Sequence, residues 1–113
     1  MILLEFNDAE QENDSRVMLK AFFPEAKIVT SIPENADEAP ELFVQVRVIR
    51  QELAGSDNAD CDRLIRIYFH RDSTDRWDEY EDEAQQMASG KKEARNVFKR
   101  MMYDMLKKLT GRE

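Results

Sequence analysis

Cys61 carries the most reactive side chain in this chain of 113 residues and is its single cysteine. A lone thiol forms no internal disulfide and supplies too few thiolates for a zinc or iron–sulfur site. Three aspartates lie near it in the sequence: Asp57, Asp60 and Asp62. Their spacing is similar to that of a calcium-binding loop, but Arg63 stands where such a loop needs glycine, and Phe69 where it needs glutamate. The pattern therefore predicts a solvated loop and no metal site.

His70 is the single histidine and the natural candidate for a general base, because imidazole titrates near neutral pH. That role needs a partner such as Asp72; the alternative is a surface histidine at the end of a strand. A Ser–His–Asp set cannot be assigned from sequence alone. The glycines at 55, 90 and 111 lie too far apart to form a phosphate-binding loop. We therefore predict that this chain by itself is not an enzyme.

Charge is distributed unevenly along the sequence. The chain has a net charge of −7 and a pI near 4.8, yet its C-terminal segment is basic. The cations of residues 91–108 in this segment are Lys91, Lys92, Arg95, Lys99, Arg100, Lys107 and Lys108. They can contact RNA phosphates, with Tyr68 or Phe43 as stacking surfaces, or they can be neutralised by the acidic segments of the same chain. The acidic total argues against nucleic acid and against anionic lipid as partners.

Two further clusters have the composition of binding segments. Residues 77–83 combine two aromatic side chains, Trp77 and Tyr80, with five acids. Such a segment can dock on a basic partner, cover a helix of the same chain, or begin a charged helix. Met101, Met102 and Met105 can line an adaptable groove, because thioethers repack easily. Their helical spacing favours a role in filling the core.

Alternation of apolar and polar residues predicts the strands that would position these groups. We predict strands at residues 1–6, 26–32, 41–51 and 64–70. The last two should form an antiparallel hairpin, because turn-forming residues 55–58 lie between them. Arg47 and Arg66 would then point outward on one solvated face of the sheet, with helices on the other.

The helices follow from apolar stripes and their end signals. After Asn7 and Asp8, a first helix runs to Pro24, with a stripe of Val17, Met18, Ala21 and Phe22 predicted to face the core. Residues 75–83 are predicted to begin another helical segment. Residues 84–109 form one helix or two, depending on Gly90, and Gly111 provides a left-handed cap. The stripe of the last helix comprises Ala94, Val97, Phe98, Met101, Met102, Met105, Leu106 and Leu109.

The predicted order β-α-β-β-β-α indicates a single α+β domain over residues 1–113. Its sheet is small and mostly antiparallel, and the helices pack on one face. No apolar run reaches the roughly 18–20 residues needed to span a bilayer, and residues 1–6 do not resemble a signal peptide. With a single cysteine, the cytoplasm is the expected compartment.

The end of the last predicted helix is similar to a segment that precedes the catalytic core in one bacterial enzyme family. The shared pattern is Lys-Arg-x-x-Tyr-x-x-Leu-x-x-x-Thr-Gly. Its residues here are Lys99, Arg100, Tyr103, Leu106, Thr110 and Gly111. With its flanks, residues 93–113, the segment resembles the HemZ type of oxygen-independent coproporphyrinogen III oxidases. The preceding acidic and strand-rich region, including strands 41–51 and 64–70, resembles the variable N-terminal domain of that family in pattern.

This resemblance implies a function within a longer chain. In that family the helix leads through a Pro-Trp-Gly element into a radical S-adenosylmethionine (radical SAM) barrel, whose iron–sulfur cluster needs a Cys-x-x-x-Cys-x-x-Cys motif. With Cys61 alone, the cluster and S-adenosylmethionine belong to the missing catalytic domain, and no cofactor residue carries over. The resemblance therefore implies a non-catalytic accessory domain of an oxidoreductase of porphyrin biosynthesis. Its implied partners are the downstream barrel, packed on the last helix, and the porphyrinogen, which a covering domain shields from solvent.

Two alternatives remain open at this point. A free-standing α+β binding module would contact RNA or an acidic protein through its basic C-terminal helix. A small structural protein would form dimers through the sheet side that carries Phe43 and Ile49.

Overall fold

The computed structural model describes residues 1–34, 40–51, 61–71 and 80–111. They form five strands, one 3₁₀ turn and two helices. In chain order these are β1 (Ile2–Phe6), the 3₁₀ turn Ala9–Gln11, α1 (Glu12–Phe22), β2 (Ile28–Val29), β3 (Leu42–Gln51), β4 (Asp62–Arg71), β5 (Tyr80–Ser89) and α2 (Gly90–Thr110). The α+β class predicted from the sequence is confirmed.

The strands form one mixed sheet in the order β2-β1-β3-β4-β5. β1 lies parallel to both of its neighbours, pairing at two positions with β2 and at five with β3. β3, β4 and β5 form an antiparallel meander whose two ladders pair nine and ten positions. Most of the sheet is therefore antiparallel, and the predicted hairpin between the third and fourth strands is confirmed.

Alternation in β3 and β4 places a row of apolar side chains on the face that the helices cover. Val44, Ile65, Ile67 and Phe69 are fully buried there, beside Ile2 of β1. Arg47 and Arg66 lie on the other face and are exposed, as the sequence predicts. This second face has no helix against it among the described residues, and we call it the open sheet face.

α2 covers β4 and β5, and α1 packs beside α2. The buried residues of α2 are Ala94, Val97, Phe98, Met101, Met102, Met105 and Leu106. This is the predicted stripe, and the three methionines fill the core rather than line a groove. Gly111 caps the helix with a φ of 68°, the left-handed conformation predicted for it.

The predicted core stripe of α1 is confirmed for Met18 and Phe22, which pack against the core, and is wrong for Val17 and Ala21. Val17 is 60% exposed and Ala21 is exposed, whereas Leu19 is fully buried. The buried side of the helix also holds the polar residues Asp14 and Ser15. A stripe read from apolar residues alone misses a helix face that buries polar groups with partners: the Ser15 hydroxyl donates to the Gln11 carbonyl at 2.6 Å.

β5 corrects the sequence prediction for the region before α2. Residues 80–83 belong to this strand, not to the start of a helix, and residues 84–89 continue it. The helix begins at Gly90, so 84–109 is neither one helix nor two. Ala, Gln and Met favour helices in isolation, and ten paired positions with β4 override that preference. Residues 75–79 lie outside the described part of the chain.

The second strand is shorter than predicted. Of residues 26–32, only Ile28 and Val29 pair with β1. The main chain continues the contact at one more point, where the N–H of Ile2 donates to the carbonyl of Lys27 at 2.8 Å. Within the described ranges, no helix combines the length and apolar character needed to cross a membrane.

Candidate functional site

Cys61 is buried immediately before β4. Its carbonyl accepts hydrogen bonds from the Arg63 guanidinium at 3.0 Å and from the Gly90 N–H at 3.2 Å, so this residue helps to join β4 to the start of α2. Asp62 is exposed at the start of β4, and Asp57 and Asp60 lie outside the described residues. Across the ranges that the structure describes, no three His, Cys, Asp or Glu side chains gather as a metal site would require.

His70 lies on the open sheet face with a carboxylate partner that sequence spacing does not suggest. Its Nδ1 lies 3.0 Å from Oε1 of Glu81, the residue directly opposite it on β5. The partner suggested by sequence, Asp72, lies outside the described residues. A hydrogen bond to this carboxylate requires the proton to be on Nδ1, and it fixes the orientation of the ring. The imidazole is therefore oriented rather than loose.

Tyr68 completes this group. Its ring is parallel to the His70 ring within 8°, with the centroids 6.2 Å apart. Burial, together with the charge and hydrogen bonding of the Glu81 carboxylate, raises the pKa of Tyr68 above its usual value. At neutral pH the phenol is protonated and can donate a hydrogen bond to a partner. These three side chains form a flat, polar and aromatic patch.

Two arginines occupy the middle of the open sheet face. Arg47 and Arg66 are directly opposite each other on β3 and β4, an arrangement of like charges that destabilises a sheet. Each is paired with an acid from the strand on its other side: Arg47 lies 3.4 Å from Glu5 of β1, and Arg66 lies 3.9 Å from Glu83 of β5. A shallow cavity of about 250 Å³ lies between the arginines and Tyr68.

The ion pairs that Arg47 and Arg66 form contribute little free energy, so a binding partner can replace them. All four side chains are roughly half exposed, at 46–57% for the arginines and 48–57% for the acids. Exposed pairs of this kind contribute about 0–1 kcal/mol. A partner that brings its own carboxylates can therefore replace Glu5 and Glu83 at small cost.

Apolar side chains border this charged centre on both sides. Ile49, Leu64 and Met87 align across β3, β4 and β5, and Ile49 and Met87 are 41% and 43% exposed. At the opposite end, Leu3 and Phe43 pair across β1 and β3 and are partly buried. A charged centre between two apolar ends is typical of a surface that docks on another macromolecule.

The basic segment is partly neutralised within the chain. Lys91 lies 3.4 Å from Glu10, and Lys108 lies 3.7 Å from Asp82. Arg95 donates two hydrogen bonds to the buried carboxylate of Asp14, at 3.0 and 3.3 Å, and this bonding raises the pKa of Arg95. The cations of α2 thus fasten it to α1, to the 3₁₀ turn and to β5.

Sequence reasoning identified Arg47, Arg66 and His70 individually but not their surroundings. Glu81 and Glu83 were assigned to a helix, so their position opposite β4 was missed. Once β5 is known to be a strand, its pairing with β4 places these acids on the open sheet face.

A scan against models of known protein families finds no match to this chain, and a search of curated proteins finds no relative.

Proposed function

We propose that this protein is a non-catalytic accessory domain that binds another protein through its open sheet face. The observation that carries the proposal is the arrangement of that face: the opposed pair Arg47 and Arg66 between two apolar ends. Directly opposed like charges and exposed apolar groups are both unfavourable in isolation. Both become favourable when a partner supplies acids and apolar groups in the same order.

The sheet face replaces the last helix as the proposed docking surface. The apolar side of α2 is buried against its own sheet, as the burial of Phe98 and Met102 illustrates. A helix whose stripe already fills the core of its own domain has no second stripe to offer. What α2 exposes is mostly charged, with Tyr103 as its one exposed large apolar side chain, whereas the open sheet face exposes both Ile49 and Met87 beside its charged groups.

The partner that we propose is a radical SAM barrel of the coproporphyrinogen oxidase type, in the cytoplasm. The support for this partner is that residues 99–111 resemble the helix that precedes such a barrel. In this arrangement the iron–sulfur cluster and S-adenosylmethionine belong to the barrel. The domain covers the barrel and excludes water from a large tetrapyrrole substrate.

Calorimetric titration of the purified chain with an anaerobically reconstituted HemZ-type barrel tests both parts of the proposal. We expect micromolar binding that Ile49→Asp weakens at least tenfold, because a charge in an apolar contact is costly. Val17→Asp is the matched control, since Val17 is also an exposed apolar residue but lies on α1. Absence of binding would overturn the partner. Equal weakening by the two variants would overturn the surface.

A second candidate function has one observation in its favour. Lys92, Lys99, Arg100 and Lys107 form no ion pair with any side chain in the described ranges. These cations are available to an acidic protein or to RNA phosphates. A gel shift with single-stranded RNA at low salt, weakened by added salt and by Lys99→Glu, is the expected result for the RNA version. No shift at low salt would remove it.

A further inference from the structure

The junction of β5 and α2 forms a second concave region, separate from the open sheet face. Its cavity has a volume of about 650 Å³ and lies between the 3₁₀ turn and the first turn of α2. Small-molecule sites typically measure about 300–1,000 Å³. The space therefore exceeds what an isolated ion needs and suits a metabolite.

At this junction some N–H groups in the first turn of α2 have no acceptor within the helix. The strand passes into α2 without a loop, because Gly90 adopts a φ of 84°. Two early N–H groups have partners: that of Ser89 donates to the Glu93 carboxylate at 2.7 Å, and that of Gly90 donates to the Cys61 carbonyl. The Ser89 side chain does not cap the helix. The next two N–H groups have no intrahelical acceptor and are available to an anion.

Gln11 is the second and independent observation. It lines the same cavity and is only 3% exposed, yet its Oε1 has no hydrogen-bond partner. Its backbone groups bond to Asp8 and Ser15, so the side-chain oxygen is the unsatisfied atom. A buried amide oxygen without a donor is unfavourable and is usually explained by a ligand or a water. A ligand that satisfies it must present a hydrogen-bond donor.

The charges that line the cavity favour an anion. Three cations and one acid line it, and Glu10 is already paired with Lys91 at 3.4 Å. The Glu93 carboxylate, a second acid nearby, is bonded to the N–H of Ser89. Arg95 is held by Asp14. Lys92 forms no ion pair within the described part of the chain, so its ammonium group is available. The positive end of the α2 dipole adds to this field, in a protein whose net charge is −7.

We propose that this cavity binds a phosphate-bearing small molecule. The first turn of α2 and Lys92 hold the phosphate, and the side-chain oxygen of Gln11 accepts a hydrogen bond from the adjoining part of the ligand. A phosphate matches these donors because its oxygens accept several hydrogen bonds at once. The remaining volume receives the group that the phosphate esterifies.

Amide-detected NMR titration of the full chain tests the site with three probes: inorganic phosphate, adenosine 5′-monophosphate and adenosine. We expect saturable shifts of the Lys91 and Lys92 amides with both phosphate probes and none with adenosine. Tighter binding of the monophosphate would identify an ester as the ligand, and equal binding would identify free phosphate; both support the site. Saturation by adenosine, or no saturation by either phosphate, would overturn the proposal.

Two variants locate the binding at this junction. Lys92→Gln removes an exposed charge without touching the core and should weaken phosphate binding about tenfold, the value of one charge-assisted hydrogen bond. Lys99→Gln is the matched control on the same helix and should leave binding unchanged. Equal weakening by the two variants would show diffuse attraction to the basic helix and would overturn the site. Gln11→Met should keep the fold and also weaken binding.

Discussion

The two faces of the sheet are built by the same strands but differ in what they contribute. On the covered face, β4 buries Ile67 and Phe69 completely. On the open sheet face, the residues that alternate with these are Arg66 and Tyr68, which keep contact with solvent. Burial of apolar area is the main source of folding free energy. The covered face therefore supplies stability, and the open sheet face is available for binding.

Phenylalanines on the two faces give the largest expected contrast. Phe69→Ala should lower the free energy of unfolding by about 3–5 kcal/mol, because it leaves a cavity in a fully buried site. Phe43→Ala, on the open sheet face, should cost about 1 kcal/mol, because its side chain is already partly in water. Urea unfolding of the two variants measures the difference. Equal losses would contradict the division between the faces.

A comparison of two carboxylates that bind arginine sharpens the same contrast. Asp14 is 10% exposed in its side chain and accepts from Arg95, whereas Glu5 is 48% exposed and accepts from Arg47. Asp14→Asn should cost about 1–2 kcal/mol, because it breaks a pair at a partly buried site between the helices. Glu5→Gln should cost less than about 0.5 kcal/mol. Thermal unfolding at pH 7 measures both, and a larger loss for Glu5→Gln would reverse the interpretation.

The opposed arginines should matter very little to folding. Arg66→Gln should change the free energy of unfolding by less than about 0.5 kcal/mol, because relief from Arg47 offsets the lost contact with Glu83. Urea unfolding checks this, with the proposed docking measured on the same sample. A loss above about 1 kcal/mol would mean that Arg66 has a structural role.

The smallest expected effect is a shift in titration. Glu81→Gln should lower the pKa of Tyr68 toward its usual value, because the charge and hydrogen bond of that carboxylate raise it. The raised pKa means that the unfolded chain loses this proton first, so stability declines as pH rises above about 10. Absorbance at 295 nm, compared with Tyr68→Phe, isolates this phenol. An unchanged curve in Glu81→Gln would exclude the proposed contact.

Sequence patterns predicted the parts of the fold in which burial follows apolar character. β3 and β4 alternate without interruption, and the stripe of α2 keeps its spacing over about four turns. In these elements the local preference and the tertiary environment agree. Their inward faces could therefore be predicted from residue types alone, although the start of α2 at Gly90 could not.

The candidate surfaces depend on elements that local preference describes badly. The acids and glutamines of β5 favour a helix or its start, and only pairing with β4 makes them a strand. Without that pairing, Glu81 cannot be placed beside His70. Gln11 was missed for a related reason, because a buried polar residue looks like a surface residue in any pattern based on hydrophobicity.

The place of β1 within the sheet has a consequence for biosynthesis. β1 pairs in parallel with β3, so that Leu4 lies opposite Val44, about forty residues later in the chain. During translation β1 must wait for that partner, with only the two residues of β2 to pair with before it, whereas β3 pairs with β4 and β4 with β5, each the next strand to emerge. Closing a long loop costs more entropy than closing a short one. We therefore expect the meander of β3, β4 and β5 to form around its own turns. β1, although it is synthesised before these strands, should be among the last to join the sheet.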